Sequence, residues 1–216
     1  MSGPFYIRYI KPIIDYVGAV FLLILFSPIL VLTVIAIQLD SRGPIFADVP
    51  DRVGKNRKPF HLYKFRSMIP NAHQLLRTDA KFKQLYEEYK KGSYKLVDDP
   101  RVTFVGKYIR KYSLDEIPQF LNVLKGEMSI VGPRAYYLDE FNDQQIKYPH
   151  TKKMIANVIS VNPGITGLWQ VSGRSEVNFD KRVEMDVKYV DNISLWSDLA
   201  IMLKTPWVMI SAKGAL

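Results

Sequence analysis

From Val17 to Ile37 the chain is apolar except at Gly18, Ser27, Pro28 and Thr33, and this run constrains the fold more than any other feature. As one helix it would be about 30 Å long, enough to cross a bilayer. A cleaved leader fits less well. Arg8 and Lys11 supply a basic approach, but Gln38, Leu39, Asp40, Ser41 and Arg42 follow where small residues would be needed for cleavage. Ser27-Pro28 falls close to the midpoint. Pro28 has no N–H for the Ile24 carbonyl, a loss of about 3 kcal/mol in a soluble helix interior, and the Ser27 hydroxyl can satisfy a freed carbonyl. A bend is expected there. Basic residues stand on both flanks, Arg8 and Lys11 before the run and Arg42, Arg52, Lys55, Arg57 and Lys58 after it. A crossing helix concentrates such residues on one side, so the flanks lean toward a re-entrant hairpin with both ends in the cytoplasm. A Pro-kinked spanning helix fits the local features as well.

With 216 residues, 48% of them hydrophobic, the chain is long enough to bury one sizeable core, and length alone does not demand a second soluble domain. A formal charge of +9 calls for an anionic partner: nucleic acid, anionic lipid or a phosphorylated substrate. With no cysteine, disulfides, thiolate nucleophiles and Cys-based metal sites are excluded. His61, His73 and His150 are too far apart for a zinc motif and read as ordinary surface or core residues. Phe60 to Phe65 alternates like a short strand. Residues 71–91 carry a helical pattern that Gly92-Ser93 ends, Asp99-Pro100 marks a turn, and Thr103 to Tyr112 reads as another short helix. Leu195 to Ile210, with Trp196, Leu203 and Trp207, suits either a membrane interface or a core.

Ser113-Leu114-Asp115-Glu116 matches a capping box, with Ser113 as N-cap and Glu116 folding back. Pro118 opposes it, because proline sits better at the first helical position. A helix starting there would run through Leu124 with Gly126 past its end, leaving Asp115 and Glu116 just outside an N-terminus that favours anions. Capping and catalysis both remain open on this segment alone. Lys64, Arg66, Arg110, Lys111, Arg134 and Arg174 lie in or beside turns rather than on long polar helix faces. Arginine's planar fork matches phosphate oxygens in pairs. In Gly132-Pro133-Arg134, Pro163-Gly164-Ile165-Thr166-Gly167 and Ser172-Gly173-Arg174, glycine lets backbone N–H groups approach an anion. Together these segments describe a phosphate site.

The run Lys64-Phe65-Arg66-Ser67-Met68, then Asp99-Pro100-Arg101-Val102-Thr103, Ser113 to Gln119 and Asn122 to Ser129, resembles the bacterial sugar transferase family, the monotopic phosphoglycosyl transferases. The likeness continues through Val131-Gly132-Pro133-Arg134 and Pro163 to Arg174, covering nearly the whole chain. It implies an α+β, mostly helical fold: a re-entrant membrane helix over 1–40 broken at Ser27-Pro28, and a small cytoplasmic catalytic domain over 41–216 with short strands and interfacial amphipathic helices. It further implies a catalytic dyad at Asp115 and Glu116, magnesium held by Glu116 and shared with Asp115, and a covalent phosphosugar intermediate on Asp115. Arg134, Arg66, Lys64 and Arg174 would bind substrate phosphates. The reaction implied moves a sugar 1-phosphate from a nucleotide diphosphate sugar to polyprenyl (undecaprenyl) phosphate at the cytoplasmic face of the bacterial inner membrane, among membrane lipids and without nucleic acid. Tyr86 to Thr103 is similar to members using UDP-hexoses.

Two departures stand out. Phe46 to Arg52 is one residue longer than the family's aromatic-x-Gln-x-Arg pattern and lacks its glutamine, and Ala135 replaces a proline after Gly132-Pro133-Arg134. Two other classes answer to the same composition. One is a basic membrane-anchored adaptor without turnover; the other is a polyprenyl diphosphate phosphatase.

Overall fold

A computed structural model describes residues 3–91, 96, 98–173 and 177–211. The apolar run lies within α1 (Lys11–Asp40), entered through a π-helical turn at Tyr6–Ile10. The chain stays helical through Pro28, in one helix rather than two separate legs. Ser27 Oγ donates to the Ile24 carbonyl at 2.8 Å, which compensates for the N–H that proline lacks. This is the only stretch among the described residues long and apolar enough to cross a membrane.

One stripe of α1 faces the protein along its whole length. Asp15, Ala19, Thr33 and Ile37 are buried, and Leu22, Phe26 and Leu30 are half-buried between them, at the three- and four-residue spacing of one helix face. Ile13, Val17, Phe21, Ile24, Leu25 and Leu32, on the other side, are exposed. The two ends of α1 are held differently. Near the N-terminus, Lys11 Nζ lies 2.8 Å from Asp198 Oδ2, which also accepts from Tyr6 Oη at 2.8 Å, while Tyr189 Oη donates to Asp198 Oδ1 at 2.7 Å. Asp15 Oδ1 accepts the Ile130 N–H at 2.9 Å. Lys11, counted as a flanking charge from sequence, is thus a buried partner of Asp198 and leaves Arg8 as the exposed basic residue of that flank. At the other end, Arg66 donates to the Ser41 and Arg42 carbonyls at 2.6 and 3.1 Å.

The rest of the chain is mostly helical around two small sheets. β1 (Arg52–Val53) and β2 (Pro59–Phe60) pair antiparallel, so the strand expected over Phe60 to Phe65 is regular only at its start; Phe65 continues as an isolated bridge to Phe46. The helix expected over 71–91 is two, α2 (Ala72–Thr78) and α3 (Lys83–Lys91). Asp79 breaks it, because its extended backbone lets Oδ1 accept the Lys81 N–H and cap an intervening 3₁₀ turn. α4 (Phe104–Lys111) starts as expected, Thr103 Oγ1 accepting the Gly106 N–H. α5 (Phe120–Leu124) leads to β3 (Ser129–Val131). Then come α6 (Leu138–Lys147), α7 (Thr151–Val158), β4 (Gly164–Thr166), α8 (Leu168–Ser172), α9 (Phe179–Asp191) and α10 (Leu195–Ser211).

β3 and β4 pair in parallel, Ser129 opposite Gly164 and Val131 opposite Thr166. The main core gathers Ala19 of α1 with Ile117, Phe120, Ile130 and Ile201, so α1 shares a core with the segments after residue 41. A second cluster, including Phe141, Ile155, Phe179 and Val183, packs α6, α7 and α9 together. A third, Leu76 with Tyr89 and Tyr137, lies under α2 and α3. α10 runs helical through Pro206 and leaves Trp196, Leu203 and Trp207 exposed.

Candidate active site

Asp115 and Glu116 occupy a 3₁₀ turn, Leu114–Gln119, that precedes α5. Neither local alternative from sequence describes the turn. Ser113 makes no side-chain cap and adopts φ 55°, while the α-helix starts at Phe120 instead of Pro118. The carboxylates are therefore set by a tight turn with an unusual left-handed serine before it, which points Asp115 inward and leaves Glu116 partly exposed. Gly126, at φ 74°, ends α5 as anticipated.

The Asp115 side chain is almost wholly buried, at 3% exposure, and Lys64 is its ionic partner, Nζ to Oδ2 at 2.9 Å. Glu116 Oε1 lies 3.8 Å from the same ammonium. Burial alone would lower the Lys64 pKa, but the Asp115 and Glu116 carboxylates outweigh it and hold it above the ordinary lysine value. The backbone fixes this pairing. Phe65 N–H donates to the Asp115 carbonyl, Ala47 N–H to the Lys64 carbonyl and Arg66 N–H to the Ile45 carbonyl, so Lys64–Arg66 is held between the chain leaving α1 and the dyad turn.

Arg134 arrives from the other sheet. The segments Gly132-Pro133-Arg134 and Pro163 to Gly167 are brought side by side by the β3–β4 pair: Gly132 N–H donates to the Thr166 carbonyl at 2.9 Å and Gly164 N–H to the Pro133 carbonyl at 2.8 Å. Those N–H groups are spent between the loops, so these glycines serve close backbone approach rather than a backbone phosphate cradle. The Arg134 guanidinium stacks 5.2 Å from the Trp169 ring, with Nε 3.8 Å from the buried Glu140, while its backbone N–H donates to Asp186 Oδ2 at 3.2 Å. Arg182 stacks on the same indole at 5.1 Å and lies 3.4 Å from Glu140. Burial pushes the Asp186 carboxyl up to about 7, against the Tyr136 and Arg134 hydrogen bonds and the nearby arginines that favour its charged form.

Lys64, Arg66, Asp115, Glu116 and Arg134 all line one cavity of about 530 Å³, the size of a small-molecule site. Arg66 lines it while committing both Nη atoms to the chain end of α1. Arg174 lies outside the described residues. Ser27 and Pro28 sit on the exposed side of α1, beside the cavity-lining Phe26. Arg52, whose role the longer Phe46–Arg52 segment left open, also lines the cavity. Its Nη1 donates to the Ala135 carbonyl at 3.0 Å and its guanidinium lies 3.4 Å over the Tyr137 ring. Arg52 Nε, Arg66 Nε and Arg134 Nε are buried donors with no hydrogen-bond acceptor among the described residues, a status that Arg182 Nε, outside the cavity lining, shares.

His73 departs from the expectation of an ordinary residue, because it forms part of the cavity wall. Burial, and then the charges of Arg52, Arg101, Lys64 and Arg77, push it down to about 3, so the imidazole is neutral. Asp186 carried no local signal, since its partners Tyr136 and Arg134 lie about fifty residues away in sequence. Among the described residues no group of three or more His, Cys, Asp or Glu gathers to hold a metal.

A buried carboxylate paired with lysine, a partly exposed neighbouring carboxylate and a stacked arginine thus share one cavity beside an apolar helix. Residues 6–212 match the family described as bacterial sugar transferase, and the chain belongs to that family. It is 40% identical over 210 residues to an undecaprenyl-phosphate galactose phosphotransferase of Salmonella typhimurium, covering 96% of this chain and 42% of that protein. A UDP-galactose-lipid carrier transferase of Erwinia amylovora gives 40% over 212 residues, with 96% and 42% covered. The exopolysaccharide production protein ExoY of Rhizobium meliloti gives 38% over 205 residues, with 93% and 85% covered. The chain thus spans about two fifths (42%) of the length of the first two relatives.

Proposed function

We propose that the protein transfers a sugar 1-phosphate from a nucleotide diphosphate sugar, a UDP-hexose, to undecaprenyl or another polyprenyl phosphate. The observation that carries this is the Asp115–Lys64 pair opening, with Glu116 and Arg134, onto one cavity in a member of this family. A carboxylate oxygen of Asp115 attacks the phosphorus bearing the sugar, the bond to the bridging oxygen breaks, and the nucleoside monophosphate leaves. The acceptor's phosphate oxygen then attacks the same phosphorus and the aspartyl ester bond breaks, which returns Asp115 as a carboxylate.

Like charges oppose the first step, by about 4 kcal/mol per pair at 4 Å with an effective dielectric near 20. Lys64 counters this at Asp115 itself, and Arg134, with Arg52 beside it, takes the non-bridging oxygens. Arg66 assists from the wall while tying the dyad to α1, and Arg174 completes the set. The donor set fits magnesium. Two adjacent carboxylates, one of them exposed to the cavity, are the protein share that this ion takes when substrate phosphates supply its other ligands. Glu116 and Asp115 would hold it, and when bound it supplies charge neutralisation on the diphosphate.

The division into a membrane helix over 1–40 and a catalytic unit over 41–216, re-entrant at Ser27-Pro28 and facing the cytoplasm, belongs to the same proposal. Its support is that both ends of α1 are held by one body, at Asp198 and at Arg66. The test is incubation with donor labelled in the sugar phosphate, without lipid. The native chain should become labelled and release nucleoside monophosphate, and Asp115→Asn should do neither. Label persisting in Asp115→Asn would remove Asp115 as nucleophile.

A further inference from the structure

Behind the cavity wall two guanidiniums share one carboxylate. Arg134 and Trp169 line the cavity, whereas Glu140 and Arg182 do not. Glu140 has no exposed surface and is fixed by its place in α6, where Oε2 accepts the N–H of the N-cap residue Tyr137 at 3.4 Å. Its Oε1 accepts from Arg182 Nη1 at 3.4 Å and stands 3.8 Å from Arg134 Nε, which donates no hydrogen bond. Arg182 is buried as well, and its Nη2 donates to the Val177 carbonyl at 3.0 Å. Arg134 has supports of its own, the Trp169 ring and the bond from its backbone N–H to Asp186. Asp186, the other carboxylate nearby, accepts that N–H and the Tyr136 hydroxyl rather than a guanidinium.

One carboxylate balances one of the two positive charges, and the closer contact is with Arg182. Burial, and after it the Arg134 charge, lowers the Arg182 pKa, so the two guanidiniums repel each other while competing for Glu140. We infer that Arg182 is a positioning residue for Arg134: by occupying Glu140 it leaves the Arg134 guanidinium free to bind a substrate phosphate in the cavity. This assignment rests on the phosphate role of Arg134 proposed above. Without Arg182, Glu140 would be a buried carboxylate whose one remaining ionic partner among the described residues is Arg134. Closing the 3.8 Å gap to a charge-assisted hydrogen bond would relieve that carboxylate and draw Arg134 away from the substrate.

The experiment uses the full chain in phospholipid nanodiscs, with a UDP-hexose as donor and polyprenyl phosphate as acceptor, and reads kcat/KM for the donor. Arg182→Met should lower it about tenfold, and adding Glu140→Gln should restore most of the loss, because the carboxylate that captures Arg134 is then gone. A buried pair that only joins α6 to α9 predicts instead that the double variant is no better than Arg182→Met, and that result would overturn the assignment alone. The double variant strands no buried charge, so it decides the point even where Arg182→Met does not fold. A loss of about tenfold in the folded double variant would also overturn the assignment. Arg134→Gln is measured alongside and should lose at least as much as Arg182→Met. An undiminished value there would remove the phosphate role of Arg134 and this inference with it, and no turnover by the native chain would remove the proposed function as a whole.

Discussion

Lys64 Nζ stands 2.9 Å from Asp115 Oδ2, a single ammonium set against a carboxylate that the 3₁₀ turn has withdrawn from solvent. The pair joins the chain leaving α1 to the dyad turn, because Phe65, the next residue, donates its N–H to the Asp115 carbonyl. Any change at Lys64 therefore reaches both the chemistry and the support of the site.

Lys64→Met should lower donor-dependent labelling about a hundredfold, the usual scale for losing one charged donor at a reacting oxyanion. It should also destabilise the fold by about 3 kcal/mol, the low end for stranding a buried charge, because Lys64 remains a quarter exposed. Lys64→Arg should recover stability more fully than rate. Single-turnover labelling and thermal melts read the two effects separately. Because the Lys64 pKa is raised, the pair's stabilisation is fully present below the ordinary lysine value and is lost only as pH rises through the higher folded value. Lys64 should therefore add no pH dependence between about pH 6 and about pH 9.

Topology is testable cleanly, because the native chain has no cysteine. Gly3→Cys and Lys55→Cys, made one at a time in intact cells or sealed vesicles, should react with an impermeant thiol reagent from the same side only. Opposite-side labelling would mean that α1 spans the bilayer. Pro28→Ala restores the missing N–H and should shift a fraction of molecules toward the opposite-side pattern.

Asp186 gives stability its own pH dependence. Burial raises its folded pKa to about 7 from an ordinary 3.8, so folding favours the protonated form. Below the ordinary value both states are protonated and nothing is lost; between the two values only the unfolded chain ionises, so stability falls as pH rises and levels off above about 7. A gap of about three pH units corresponds to roughly 4 kcal/mol. Melting temperatures of native protein and Asp186→Asn, compared from about pH 5 to about pH 8, should diverge in slope below about 7. Parallel curves would remove Asp186 as the source.

Gly164→Ala should be among the most damaging single substitutions outside the charged groups. A Cβ there would fall on Gly132 N and the Thr166 carbonyl, both backbone atoms that cannot rotate aside. Separating β3 from β4 displaces the Pro133–Arg134 segment, so loss of labelling should accompany a lower melting temperature. Gly126→Ala meets no atom within 4 Å and strains only φ, so its cost should be about 1 kcal/mol.

Much of this was present in local sequence. The apolar run and the short helix after Thr103 each depend on neighbours a few residues away, and each lies where the local pattern put it. Other expectations failed for equally local reasons that were harder to weigh. Asp79 stopped a helix whose apolar period continued past it, and the dyad turn chose 3₁₀ geometry over both a capping box and a helix at Pro118.

The sequence by itself determined an apolar helix, a basic chain without thiol chemistry, and a set of carboxylates and arginines suited to phosphates. Only the tertiary structure decided how they were used: Lys11 neutralises buried Asp198, Arg66 grips the end of α1, and the glycine amides bond to the opposite loop. The physical reason is that a charge or an N–H has no assigned partner until the chain has folded. Which arginine meets a phosphate and which meets a carbonyl depends on distances between residues far apart in sequence, and on how much water burial has removed.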